Sequence, residues 1–302
     1  MFTRPPLSER NGIPRFVPDD GYAESFGEQW NAYRRVQLDS ATGKPISRDR
    51  LFRGTRWPER LDGERVLEVG CGAGRFTEVL LDAGAEVWAV DASSAVDAAR
   101  ANLGAHPRVH LAQADLFDLP FAPGSFDRIL CFGVLQHTPD PRAAFLAVCE
   151  QARPGGWVAA DVYRRAPYVD RWSAKTLWRP LTRRLPRRLL RRAVEWYVPR
   201  WLPVDTRLAR VPKLGRFLTA LVPCWNYAGL LPLDRDELRA WAILDTFDAL
   251  SPRYDEPQTL ETVREWVEAA SLEDALVAYG GNGIEITGRR PRARATQTSA
   301  PP

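Results

Sequence analysis

The sequence predicts an α/β protein: a doubly wound, mostly parallel sheet of seven strands with helices on both faces, interrupted by an inserted, mainly helical lobe. Three observations carry this. A short apolar strand, Val66-Leu67-Glu68-Val69, runs into Gly70-Cys71-Gly72-Ala73-Gly74 and then into a helix. Between 65 and 162, apolar runs of strand length alternate with helical periodicity, the pattern of parallel strands joined by crossover helices. Near the C-terminus, a helical stretch is followed by two strands joined at Gly280-Gly281-Asn282-Gly283.

Composition bounds the function classes. At 302 residues and 45% apolar, the chain can bury one substantial core with an added lobe. The start, Met1-Phe2-Thr3-Arg4-Pro5-Pro6, lacks an apolar core of signal-peptide length, so a cytoplasmic protein is expected. Cys71, Cys131, Cys149 and Cys224 form neither a C-x-x-C pair nor a His/Cys cluster, so no metal site or disulfide framework is expected. A net charge of +4 does not by itself imply a nucleic-acid partner.

Residues 1–60 read as an N-terminal extension. Its first 20 residues, rich in Pro, Arg and Asp without periodicity, predict an extended, poorly ordered lead. Tyr22, Phe26, Trp30 and Tyr33 then share one helical face, which suits a helix docked by its aromatic side. The core is expected over 61–162, with strands near 65–69, 86–90, 109–113, 126–132 and 156–162 and helices near 74–84, 93–103 and 141–152. On such sheets ligands bind at the carboxyl ends of the strands, where the strand order reverses.

The glycine loop lies at such an end. Glycine lacks a Cβ, so the backbone can turn tightly against a ligand while the next helix offers unpaired N–H groups, the features of a nucleotide-type cofactor loop. A dinucleotide loop would place its third glycine where Arg75 stands, which disfavours an NAD-dependent oxidoreductase. Asp91 ends the second strand; a carboxylate there can accept both hydroxyls of a ribose, or can cap the helix that follows Ser93 and Ser94. Asp115 ends the third strand, where an isolated aspartate is ordinarily a turn former.

In order and spacing, five segments resemble motifs of class I S-adenosylmethionine (SAM)-dependent methyltransferases, of the type 11, ubiquinone-biosynthesis-like group. They are Glu68 to Gly74, Asp91, Gln113-Ala114-Asp115-Leu116, the stretch from Phe121 through His137-Thr138-Pro139-Asp140, and Ala152-Arg153-Pro154-Gly155-Gly156. The resemblance covers roughly 65–162 and implies a Rossmann-like sheet with SAM as cofactor. It implies that Glu68, Gly70, Cys71, Gly72, Gly74, Asp91 and Ala92 bind the cofactor. Asp115 would accept from the adenine amino group, the Leu116 backbone would meet a ring nitrogen, and Phe132 and Gly133 would flank the methionine portion. The terminal strand pair would be the antiparallel sixth and seventh strands that set these enzymes apart from dinucleotide-binding sheets.

The resemblance also makes Phe26-Gly27-Glu28-Gln29-Trp30 a lid over bound SAM, with Trp30 and Tyr33 toward the acceptor. It returns Ser251-Pro252-Arg253-Tyr254-Asp255 to the substrate opening, where Arg253 would bind an anionic group and Tyr254 would stack or donate. Read from the residues alone, that segment is a capped loop with a packed tyrosine.

SAM carries its methyl on a sulfonium, so the protein must align a nucleophile and, for a hydroxyl, remove its proton. His137, just after the fourth strand and one of three histidines, is the candidate base, with an ordinary pKa of about 6.5. Alternatively it holds its loop by hydrogen bonds. His106 and His110 flank the opposite end of the sheet.

The alternation breaks at 163, where the inserted lobe, 163–245, begins. Residues 164–216 hold 16 Arg and Lys against 3 Asp and Glu, a local +13 that leaves −9 on the remainder. Trp172, Trp178, Trp196, Tyr197 and Trp201 lie within it, and the uncharged run from Phe217 to Leu233 is shorter than the roughly 20 residues of a membrane span. A helix starting after Pro186 would gather Leu189, Leu190, Ala193, Trp196 and Tyr197 into a stripe beside Arg187, Arg188, Arg191 and Arg192. That stripe either packs on the sheet or docks on the inner face of an anionic membrane; for RNA no recognition motif accompanies it. Residues 246–290 complete the core and 291–302 read as a disordered tail. The expectation is an O-methyltransferase for a small-molecule, glycan or lipid-linked acceptor, with peripheral membrane contact through 164–216 and no nucleic acid. A SAM-binding scaffold without catalysis is the alternative.

Overall fold

Residues 1–165, 173–211 and 214–292 are described in this computed structural model. In chain order the N-terminal part contains β1 (Ser8–Arg10), β2 (Ile13–Arg15), α1 (Glu24–Ala32), α2 (Asp39–Thr42) and α3 (Ile46–Thr55). The core follows with β3 (Arg65–Val69), α4 (Arg75–Asp82), β4 (Glu86–Asp91), α5 (Ala95–Leu103), β5 (Val109–Gln113), β6 (Phe126–Cys131), α6 (Pro141–Glu150) and β7 (Ala152–Val162). The lobe holds α7 (Ala174–Thr182), α8 (Arg187–Leu208), α9 (Leu214–Thr219) and α10 (Arg235–Leu250), and the chain returns through α11 (Leu260–Ala269), β8 (Glu273–Gly280) and β9 (Gly283–Arg289).

The strands form one sheet in the order β1-β2-β5-β4-β3-β6-β7-β9-β8. β5, β4, β3, β6 and β7 are parallel, with Leu67 of β3 opposite Trp88 and Ile129, while β9 joins β7 and β8 antiparallel. Successive residues of β3 serve opposite faces: Leu67 packs with Ile129, Phe145 and Val158, whereas Val66 packs with Val79, Leu80 and Trp57. β4 and β6 flank β3, so the order reverses there and a crevice opens at its carboxyl end.

The seven expected strands are present, and the described residues add two more. The predicted disordered lead is instead a hairpin on the β5 edge. Asn11 and Gly12 turn it with φ of 56° and 67°, the left-handed pair that a two-residue hairpin turn requires. Arg15 pairs with Gln113 in register and, almost fully buried, donates to the Gln113 side chain at 2.9 Å and to Asp97 at 2.7 Å. Ile13 is fully buried, and Phe2 packs on Phe16, Trp88 and Phe121. Strands of three residues are too short to show a period, which is why composition misled here.

β7 also begins earlier than expected. Its register with β6 slips between Phe126 and Arg128, and Gly155, at φ 77°, exchanges backbone hydrogen bonds with Arg290 through Gly155 N and Gly156 O. Pro154-Gly155-Gly156 is thus a bulge within the strand rather than a turn into it.

In the lobe, α8 starts after Pro186 as expected, but its buried stripe is Leu190, Val194, Val198 and Leu202, packed on Ala242, Phe247 and Leu250 of α10. Leu189 and Trp196, expected in that stripe, are 54% and 63% exposed. The partner surface is another helix, and the i, i+4 row of β-branched and leucine side chains fits it better than the broader aromatic stripe. α10 also runs unbroken across 245, so the lobe and the returning core share a helix. Trp172 and residues 293–302 of the expected tail lie outside the described residues.

Candidate active site

A cavity of about 910 Å³ opens at the carboxyl ends of the central strands, roofed by α1 and walled on the far side by α10. The glycine loop forms its floor. Gly70 has φ 78°, and a Cβ there would lie 2.1 Å from Val134; Gly72 has φ 52° and lies under the Trp30 ring, 3.1 Å from where a Cβ would be. Both line the cavity with Cys71, whose thiol is pushed up by burial. Gly74 does not line it; with φ 87° it precedes α4 and lets that helix pack on Leu103.

Asp91 lines the same end. Its Oδ2 accepts from the Gly72 N–H at 2.9 Å, and its Oδ1 from the Ser93 N–H at 2.9 Å and the Ser93 hydroxyl at 2.7 Å. A carboxylate oxygen can accept more than one bond, so the residue ties loop to strand while keeping acceptor capacity toward the cavity. Ala92, Ala114, Leu116, Phe132 and Gly133 complete this wall. Glu68 is not on it. It lies buried beneath the loop, accepts from the Thr77 hydroxyl at 2.6 Å, and is pushed up to about 8 by burial. The Asp115 carboxylate accepts from Phe117 N–H at 3.0 Å, as a turn former does, and from the Tyr22 hydroxyl at 3.2 Å, which places Tyr22 at the cavity.

His137 lines the same cavity. Its Nδ1 is 3.1 Å from the Tyr254 carbonyl oxygen. A carbonyl only accepts, so Nδ1 carries the hydrogen and the neutral ring has its lone pair at Nε2. The ring packs against Phe26, with centroids 4.9 Å apart, and edge-on to Tyr163 at 5.4 Å. Burial lowers its pKa, while Asp248 and Asp255 oppose that shift.

Several residues here carried no sequence motif. Asp161 accepts from the Gly133 N–H at 2.5 Å and pairs with Arg50 at 2.9 Å, fixing the loop after β6. Asp248 accepts from Gln29 of α1 at 3.1 Å. Asp245 accepts from Tyr227 at 2.5 Å and Gln37 at 3.0 Å, and burial pushes it up to about 6. Arg75, the residue in place of a third glycine, donates to Gln37 at 2.7 Å and Ser47 at 2.9 Å and lies over Trp241, with its pKa lowered to about 9 by burial. These contacts bind the N-terminal segment, the glycine loop and the lobe into one wall. Only proximity in the fold reveals them.

Of the expected acceptor-side residues, Trp30 lines the cavity and the others do not. Tyr33 turns outward, its hydroxyl donating to Glu195 of α8 at 2.5 Å. Arg253 is exposed, with its guanidinium over the Tyr254 ring, and it is the Tyr254 carbonyl rather than its ring that reaches His137. The neighbouring Asp255 lines the cavity and pairs with Lys175 at 2.7 Å.

A parallel sheet reversing at a glycine loop, with an acid at the end of the next strand, defines a Rossmann-like nucleotide-cofactor domain. Residues 67–160 match the type 11 family model described as a methyltransferase domain. The chain is 36% identical over 110 residues to the ubiquinone biosynthesis O-methyltransferase of Bordetella bronchiseptica, covering 35% of this chain and 46% of that protein. It is 39% identical over 116 residues to that of Aromatoleum aromaticum, covering 36% and 49%. It therefore spans about half the length of these curated relatives. Among solved structures, a Haemonchus contortus phosphoethanolamine N-methyltransferase 2 in complex with S-adenosyl-L-methionine is similar at TM-score 0.46 and 15% identity, over 86% of this chain and 44% of that one. Residues 67–160 are thus a domain of the class I SAM-dependent methyltransferase type.

Proposed function

We propose that the protein transfers a methyl group from SAM to a hydroxyl of a small-molecule, glycan or lipid-linked acceptor, with His137 as the base. The observation that supports this is the Nδ1 contact to Tyr254, which leaves a neutral, buried Nε2 as proton acceptor on a residue lining the cavity. The glycine cradle and the Asp91 carboxylate fit SAM, which would rest on Gly70, Gly72 and Asp91, with Ala114 and Leu116 beside its base and Phe132 and Gly133 beside its methionine end. When bound it supplies a methyl already activated by the sulfonium charge.

The remaining work falls to this chain. Phe26 and Trp30 cover the cavity and exclude water. Nε2 of His137 takes the hydroxyl proton, and the carboxylates of Asp248 and Asp255 stabilise the imidazolium that forms. A lipid-linked acceptor would bring the basic lobe to the cytoplasmic face of a membrane. The test is to incubate the protein with methyl-labelled SAM and cell extract and to identify the labelled fraction. Label in a methyl ether, lost with His137→Asn, supports the reading. SAM binding without transfer to any fraction would favour a scaffold instead.

A further inference from the structure

The fold sorts the arginines of α8 by direction. Arg187 and Arg191 turn toward the lid helix α1, where they pair with Glu24 and, at 3.3 Å, with Glu28. One turn further, Glu195 accepts from Arg191 at 3.1 Å and from Tyr33. These ladder residues lie beside the stripe that α8 buries against α10.

The opposite side is different. At about 100° per residue, positions 188, 189, 192, 196 and 200 share an arc of about 120° facing away from α10. Leu189 and Trp196 stand exposed there, Arg200 lies 4.9 Å over the Trp196 ring, and Arg188 and Arg192 have no side-chain partner among the described residues. Exposed leucine and tryptophan flanked by free cations complement a surface that is anionic and also offers an apolar layer at its boundary. A nucleic-acid backbone would satisfy the arginines but offer nothing to Leu189. Among the described residues no helix is long and apolar enough to cross a membrane, so contact would be from one side.

We propose that this outward face docks on an anionic lipid surface, and that Arg187 and Arg191 take no part because they hold the lid. The idea deepens the lipid-linked reading above, but its test does not depend on methyl transfer. The whole chain is sedimented with vesicles of mixed phosphatidylglycerol and phosphatidylcholine and with phosphatidylcholine alone. Binding is expected only to the anionic vesicles, weakening with salt and falling about fivefold for each charge removed in Arg188→Gln, Arg192→Gln and Arg200→Gln. Arg187→Gln with Arg191→Gln should leave vesicle binding unchanged but speed hydrogen exchange over residues 24–32. Absence of binding at low salt, equal binding to neutral vesicles, or an equal loss in the Arg187/Arg191 variant would each overturn the proposal. So would retention of single-stranded RNA without vesicle binding, which would reassign the face. None of these results would bear on the proposed methyl transfer.

Discussion

His137 Nδ1 lies 3.1 Å from the carbonyl oxygen of Tyr254, 117 residues later in the chain, and that contact fixes which ring nitrogen keeps its lone pair. His137→Asn retains a donor near the Nδ1 position but has no base. Turnover should fall by about 10²–10⁴-fold while SAM affinity and melting temperature stay near those of the parent. Because burial lowers the His137 pKa, parent turnover should remain on its plateau at pH 7 and decline only on acidification below the ordinary value of 6.5. Steady-state kinetics across pH, with calorimetry of SAM binding, check both. A melting temperature that drops with turnover intact would make His137 a loop anchor only.

If the Asp91 carboxylate accepts both ribose hydroxyls as proposed, Asp91→Ala should weaken SAM binding by about 100-fold or more, since each such charge-assisted hydrogen bond contributes roughly 1.5–3 kcal/mol. The same change leaves the Gly72 N–H and the Ser93 hydroxyl without their acceptor, so the protein should also melt earlier. Isothermal titration and thermal unfolding separate the two effects, and unaltered affinity would remove Asp91 from the cofactor site.

Glu68 gives stability an alkaline limit. Its folded pKa, about 8, lies above the ordinary 4.5, so the folded state keeps the proton that the unfolded chain releases. Its stabilising contribution is complete below pH 4.5 and is lost as pH rises to about 8. Glu68→Gln keeps an acceptor for Thr77 without the charge. It should match the parent at pH 5 and exceed it at pH 9 by on the order of a few kcal/mol, read from denaturant unfolding at each pH. Parallel curves for the two proteins across that range would show Glu68 to be ionised in the fold.

Ile13→Ala should destabilise the protein by about 2–5 kcal/mol, as expected for truncating a fully buried side chain. Urea denaturation measures it. A loss under 0.5 kcal/mol would mean that β2 is not part of the cooperative sheet.

The central sheet was legible because its strands alternate with helices at regular spacing and its loops carry glycine and acid at fixed positions. The five parallel strands and the terminal pair fall close to where the pattern put them. The N-terminal hairpin was not legible, since its hold on the sheet depends on Ile13 and a buried Arg15 rather than on any run of residues. At the candidate site the motif residues told one half of the story. Asp245, Asp248 and Tyr163 come from the lobe side and meet the cofactor end only through packing, and Asp161 of β7 reaches it only through the Gly133 N–H, so no local spacing announces them. The α8 stripe shows the same limit: periodicity located the helix, but only the α10 surface decided which side went inward.

The segment between β2 and α3 is pinned at both ends, by Arg15 in the sheet and by α3, whose Thr55 carbonyl accepts from Thr287 at 3.2 Å. An arch with two fixed piers can bow but cannot swing clear. Any bowing of this arch over the cavity must therefore break what fastens its keystone, Gln29 on Asp248 and Gln37 between Arg75 and Asp245, rather than either pier.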